Sequence, residues 1–157
     1  MAKELNELAE EAWNHIRTGN IDLALQLLSG PISLVNEAER PKGYPDALAM
    51  FAYCSGVITK KRKESIQLGI RATKLDSLNP RNYFLLGRLY EIAGSKKNAF
   101  EAYQQGLKIQ PGYPPIVQAI GKLGTRRRPV LKFLARDHFL NVALGRLRHS
   151  LFQKPIK

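Results

Sequence analysis

Apolar residues recur at helical spacing along most of the chain, and Gly, Pro and Asn interrupt them at short intervals. The clearest segment runs from Pro80 to Tyr113. Its first half places Tyr83, Leu86, Leu89 and Tyr90 on one face of a predicted helix. Gly94 and Ser95 break that helix. A second follows with Ala99, Tyr103, Gly106 and Leu107 on one face, and Pro111 ends it. The unit spans 34 residues.

The same period recurs, less completely, on either side. Residues 46–79 predict a first helix from about Asp46 to Ile58, a loop at Lys60–Lys63, and a second helix with Ser65 and Ala72 at its small positions. Tyr53 is large where the next unit has Gly87, and Gly69 is small where it has Tyr103. This predicts an exchange of bulk across one helix crossing. Residues 5–38 predict a further hairpin, with Leu8, Ala12 and Ile16 on its apolar face, a turn at Gly19–Asp22, and Ala24 at the small position. Gly30-Pro31 is expected to cut its second helix short, leaving an irregular connection up to Tyr44 with a short helix near Ser33–Asn36. Residues 114–123 predict a single helix in which Val117, Ile120 and Gly121 repeat the places of Tyr83, Leu86 and Gly87, and which caps the array.

The unit from Pro80 to Tyr113 closely resembles a tetratricopeptide repeat. Tyr83, Leu86, Gly87, Tyr90, Gly94, Ala99, Tyr103, Gly106 and Pro111 occupy the positions where that family carries aromatic, Leu, Gly, Tyr, Gly, Ala, aromatic, small and Pro. There is a physical reason for the pattern. Gly87 and Ala99 fall where the two helices of a hairpin cross, so small side chains permit close approach. Gly94 supplies a turn conformation that a side chain resists. The resemblance implies an all-α, right-handed solenoid of about three helical hairpins over residues 1–124, with the capping helix at its end. It also implies a protein-binding role, with the first helix of each hairpin lining a concave groove.

After Gly124 the repeat stops. Residues 125–157 are strongly basic, and Pro129 enforces an extended stretch. A helix over about 137–152 gathers Leu140, Ala143, Leu144, Leu147 and Leu151 into one apolar stripe. That stripe needs cover, from this chain, from a partner or from a second copy.

Charge sharpens this picture. Of the net +12, residues 1–58 contribute −4 (eight acids, four bases) and the remainder +16. Such a field favours anionic partners. No stretch approaches the roughly 18–20 apolar residues of a membrane helix. The acidic opening, with Glu4, Glu7, Glu10 and Glu11, does not read as a signal peptide, so a cytoplasmic location is expected. The single Cys54 excludes an internal disulfide and predicts a small buried side chain.

Catalytic chemistry finds no support in these residues. His15, His138 and His149 are scattered without metal-ligand spacing. Phosphate loops of the GxxxxGK[ST] and GxGxxG types are absent. Asp137-His138 reads as a helix cap. No enzyme, cofactor or metal is expected.

Binding surfaces are better marked. The family's groove positions fall on Asn6, Ala9, Trp13 and Ile16, then Ala47, Met50, Cys54 and Val57, then Arg81, Phe84, Arg88 and Glu91. From these, Trp13, Met50, Cys54, Arg81, Phe84, Arg88 and Glu91 are expected to form a groove that is apolar early and basic late. It would suit a protein or peptide with an apolar anchor and an acidic end. Ala9, Trp13 and Cys54 do not supply the basic and amide residues with which some family members clamp a terminal carboxylate. The alternative reading uses Lys60, Lys61, Arg62 and Lys63 with Arg126, Arg127 and Arg128 as a patch for nucleic acid or acidic lipid. Self-association through the C-terminal helix is a further reading.

Overall fold

The computed structural model describes residues 4–36 and 38–123. The chain divides into a unit of residues 1–123 and a second of residues 124–157. The expected helix at 137–152 and Arg126–Arg128 lie outside the described residues.

Seven helices and no strand make up the described residues: α1 (Leu5–Thr18), α2 (Ile21–Ser33), α3 (Tyr44–Ile58), α4 (Arg62–Leu75), α5 (Pro80–Ile92), α6 (Lys96–Ile109) and α7 (Pro114–Leu123). They pair as the hairpins α1/α2, α3/α4 and α5/α6. The helices α4 and α6 begin and end 34 residues apart, as the period requires.

One tight turn is used three times. Gly19, Lys60 and Gly94 each take a left-handed conformation, at φ +85°, +60° and +78°. Each stands immediately before the N-cap of the next helix, Asn20, Lys61 and Ser95 respectively. The second repeat therefore makes with lysine a turn that its neighbours make with glycine. The turn is also shorter than the expected Lys60–Lys63 loop, because Arg62 and Lys63 already belong to α4.

Small residues set the helix spacing. A Cβ on Gly87 would lie 2.7 Å from Tyr103 Cζ and nearer still to other ring atoms. Gly106 lies against Ile116 in the same way, which seats α7 on α6. In the second hairpin the close approach falls at Gly56, whose Cβ would meet Ser65 Cβ at 3.1 Å and the Leu89 side chain. The expected exchange between Tyr53 and Gly69 does not occur. The space over Gly69 is taken by Leu86 and Leu89 of the next hairpin.

Two further expectations are corrected. The helix α2 does not stop at Gly30 but continues through Pro31 to Ser33. Pro31 stands in the last turn, where its missing N–H costs the ladder one bond, to the Leu27 carbonyl, and the helix ends two residues on. The Ser33 hydroxyl donates to the Gly30 carbonyl at 2.7 Å, and Leu34 N–H to the Pro31 carbonyl at 3.3 Å. Ser33–Asn36 consequently forms no separate helix. In α7 the buried residues are Ile116 and Ala119, whereas Val117 is half exposed. Ile120 still packs against the cluster at the end of the array, so of the two expected apolar positions only Val117 departs.

The main core gathers Ala9, Ala12, Leu28, Leu48, Met50, Cys54, Leu85 and Leu89, among others, from the first five helices. A smaller cluster of Ala99, Tyr103, Ile116 and Ala119 holds the end of the array. No helix among the described residues is long and apolar enough to cross a membrane.

Candidate functional site

The helix α5 supplies the centre of the site. Asn79 caps it by accepting the Arg81 N–H at 3.0 Å, with Pro80 in the first turn. The Asn79 amide also donates to Asp46 Oδ1 at 3.3 Å, tying the start of α5 to the start of α3. Arg81 then reaches in two directions. Its Nη1 lies 2.8 Å from Asp46 Oδ2 on α3 and 2.7 Å from Glu10 Oε1 on α1. Its guanidinium also stands 4.8 Å over the Trp13 ring, a cation–π arrangement. One arginine therefore links the first helices of all three hairpins.

Farther along, Arg88 donates to Glu91 at 2.7 Å and to the Tyr53 hydroxyl. The Tyr103 hydroxyl donates to the other Glu91 oxygen at 2.9 Å. Arg81 meets Asp46 and, seven residues on, Arg88 meets Tyr53. Hence α3 and α5 run in parallel and bring equivalent side chains to one face.

Burial tunes these groups. It raises the Asp46 pKa above the usual carboxylate value, outweighing the neighbouring Arg81, and Glu10 adds to the rise. Desolvation likewise drives Tyr103 well above its ordinary pKa, with Glu91 beside it adding to the effect. Burial pushes the Cys54 thiol up to about 12, so it stays neutral at any ordinary pH.

Beside this network a pocket of about 440 Å³ opens. Trp13 packs edge-on against Phe84 with centroids 6.1 Å apart, and Phe84 stacks on Tyr103 at 6.3 Å. Trp13, Ile16, Tyr53 and Phe84 form one side, and Pro114, Pro115 and Ala119 of α7 the other. Arg17, Arg88, Gln118 and Lys122 supply the polar rim. No Asp or Glu is among these lining residues.

The expected groove residues part into three groups. Trp13, Phe84 and Arg88 line the pocket. Arg81 and Glu91 lie beside it, but their charges are engaged within the chain. Met50 and Cys54 are fully buried in the core and do not reach the groove. The residues of α3 that reach it are Asp46 and Tyr53, each one position before the counterpart of Arg81 and Arg88 in the 34-residue register. One residue turns a helical side chain by about 100°, enough to exchange groove for core.

Sequence reasoning missed Arg17, Tyr53 and the contribution of α7. A signal for α7 existed, since a solitary first helix of a further hairpin would face the same groove. Among the basic residues, Lys60, Lys61, Arg62 and Lys63 are exposed, as are Lys96 and Lys97. The parallel run of α3 and α5 puts both sets along one edge of the array. Among the described residues, no group of three or more His, Cys, Asp or Glu could hold a metal ion.

No protein-family model matches the chain, and no curated protein matches it in sequence. Among solved structures it is similar to the type III secretion translocator chaperone SycD of Yersinia enterocolitica in an alternative dimer form. That match has 13% identity over 76% of this chain and 85% of that one, with a TM-score of 0.52. MamA of RS-1, an ArsTM double mutant, aligns over 98% of this chain and 99% of that one at 15% identity and a TM-score of 0.38. The likeness to SycD shows that the chain has a helical-repeat fold.

Proposed function

We propose that this protein is a non-catalytic interaction scaffold that binds a partner protein or peptide in its concave groove. The observation that carries this reading is the pocket between α1, α3, α5 and α7, with aromatic side chains in its floor and polar groups at its rim. Apolar pockets with a few convergent polar groups are the usual form of a binding site. SycD, of similar fold, is a chaperone, a likeness at the level of fold only.

Site-specific photo-crosslinking tests the reading. A photoreactive phenylalanine replaces Gln118 at the pocket rim, and in a second variant Lys61 at the exposed turn. Partner proteins captured from position 118 and not from position 61 support the groove. Capture from position 61 alone removes it.

A second reading has its own observation, the common edge formed by Lys60–Lys63 with Lys96 and Lys97. Such an edge would hold nucleic acid or acidic lipid through charge, and binding would weaken steeply with salt. Titration of random duplex DNA and of anionic vesicles across a salt series measures it. Absence of binding at low salt removes it.

A further inference from the structure

The pocket's chemistry narrows its occupant. Resting on the groove reading above, we infer that the pocket takes an apolar side chain flanked by carboxylates, within a short acidic segment of a partner protein. The floor is apolar and aromatic, and Trp13 and Phe84 hold each other edge to face at 6.1 Å. A volume of about 440 Å³ is the size of a small-ligand site and admits a large side chain, not a folded element.

The rim is cationic. Arg17 and Lys122 are exposed and form no ion pair among the described residues. Arg17 spends one donor on Asn14, at 3.0 Å, and keeps the rest of its fork. Arg88 shares its charge with Glu91. With no acid in the lining, the open mouth of the pocket carries net positive charge and favours an anionic guest.

The same charge disfavours the chain's own C-terminal segment. Residues 124–157 carry nine Lys and Arg and the single acid Asp137. Seating that segment in the pocket would bring like charges together without compensation, a cost that discriminates against wrong partners. An acidic partner gains from both the floor and the rim.

Trp13 is the only tryptophan and lines the pocket, so its emission reports occupancy directly. Four probes are titrated into the full chain. They are a synthetic peptide of Asp and Glu around a central Leu-Phe, its Lys-for-acid counterpart, a peptide of residues 137–152, and a dT12 oligonucleotide. The acidic peptide is expected to shift Trp13 emission saturably, and the other three are not. Arg17→Glu/Lys122→Glu, two exposed positions, should weaken the acidic peptide at least tenfold and admit the Lys counterpart, with circular dichroism unchanged. A saturable shift with residues 137–152 overturns the proposal in favour of self-occupation. An equal shift with dT12 overturns it in favour of a general polyanion site. No response to the acidic peptide, with crosslinks still arising at position 118, overturns this ligand class and leaves the groove reading standing. Loss of both overturns both.

Discussion

Gly87 lies directly beneath the ring of Tyr103, with no room between them for a methyl group. That ring also stacks on Phe84 in the pocket floor and donates to Glu91. This close approach within the third hairpin therefore also supports the proposed binding site. On an open helix Gly→Ala gains about 1 kcal/mol. Here Gly87→Ala should destabilise by about 1–3 kcal/mol, because the ring must shift within a packed core. Adding Tyr103→Leu to Gly87→Ala should recover part of this loss, with a favourable coupling of about 1 kcal/mol in a double-mutant cycle. Urea denaturation of the four proteins measures it, and strictly additive effects would show that the ring is not what fills the space.

Lys60 repeats the turn of Gly19 and Gly94 at a left-handed φ of +60°. A residue with a Cβ pays roughly 1–2 kcal/mol there. Lys60→Gly should raise stability by about 0.5–1 kcal/mol, the gain being reduced by glycine's freedom in the unfolded chain. The reverse change, Gly94→Lys, should lower stability by a similar amount. Nothing lies within 4 Å of a Cβ at Gly94, so only the backbone conformation opposes that change. Thermal melts of both variants check the pair, and melting temperatures that move in the same direction would contradict the shared turn.

These turns and crossings show how far the chain could be read unaided. The spacing of Tyr83, Leu86, Gly94, Ala99 and Pro111 located α5 and α6, because helix faces, a left-handed turn and a helix stop are local consequences of residue type. The pocket was legible in part, through Trp13, Phe84 and Arg88. By the 34-residue count Met50 and Cys54 fall at groove positions, yet a one-residue rotation of α3, which that count does not carry, puts both in the core, in keeping with the burial expected of the lone cysteine. Arg81 was visible as a groove residue, but its partners Glu10 and Asp46 lie 71 and 35 positions away. Only the packing of α1 and α3 beside α5 makes it an internal link. Gly30-Pro31 predicts an early stop because a missing N–H and the ring's bulk oppose a helix interior, but Ile32 packs on the core and α2 runs on to Ser33.

Cys54 gives a direct report on the integrity of α3. It is fully buried, and its pKa of about 12 keeps the nucleophilic thiolate unpopulated at pH 8. A thiol reagent at pH 8 should therefore label the folded protein at least a hundredfold more slowly than the protein in denaturant. The residual rate should follow opening of the core. Raised above the unfolded value of 9.0, this pKa also means that its contribution to stability is complete below pH 9 and declines as pH rises toward 12. Rapid labelling with the helical signal intact would place Cys54 back in the groove.

Arg81 ties a buried carboxylate to an exposed one across three helices, and its removal should be felt through charge. Asp46 and Arg81 are largely shielded, with side-chain exposures of 14% and 21%, whereas Glu10 is 57% exposed. Breaking a fully buried pair costs about 3–5 kcal/mol, so this partly solvated one should cost about 2 kcal/mol at pH 7 in Arg81→Met. Lost with it is the main influence that lowers the Asp46 pKa, which then rises further under burial and Glu10. A carboxyl whose folded pKa lies above its unfolded value stabilises the fold below the unfolded pKa and loses that contribution as pH rises through the folded one. The deficit of Arg81→Met relative to wild type should therefore shrink as pH falls through the carboxylate range. Arg81→Met/Asp46→Asn should restore part of the stability at pH 7, since no buried charge is left unpaired. Urea unfolding at pH 7 and pH 4 checks both statements. A deficit that is the same at the two pH values would mean that the arginine contributes packing on Trp13 and not charge.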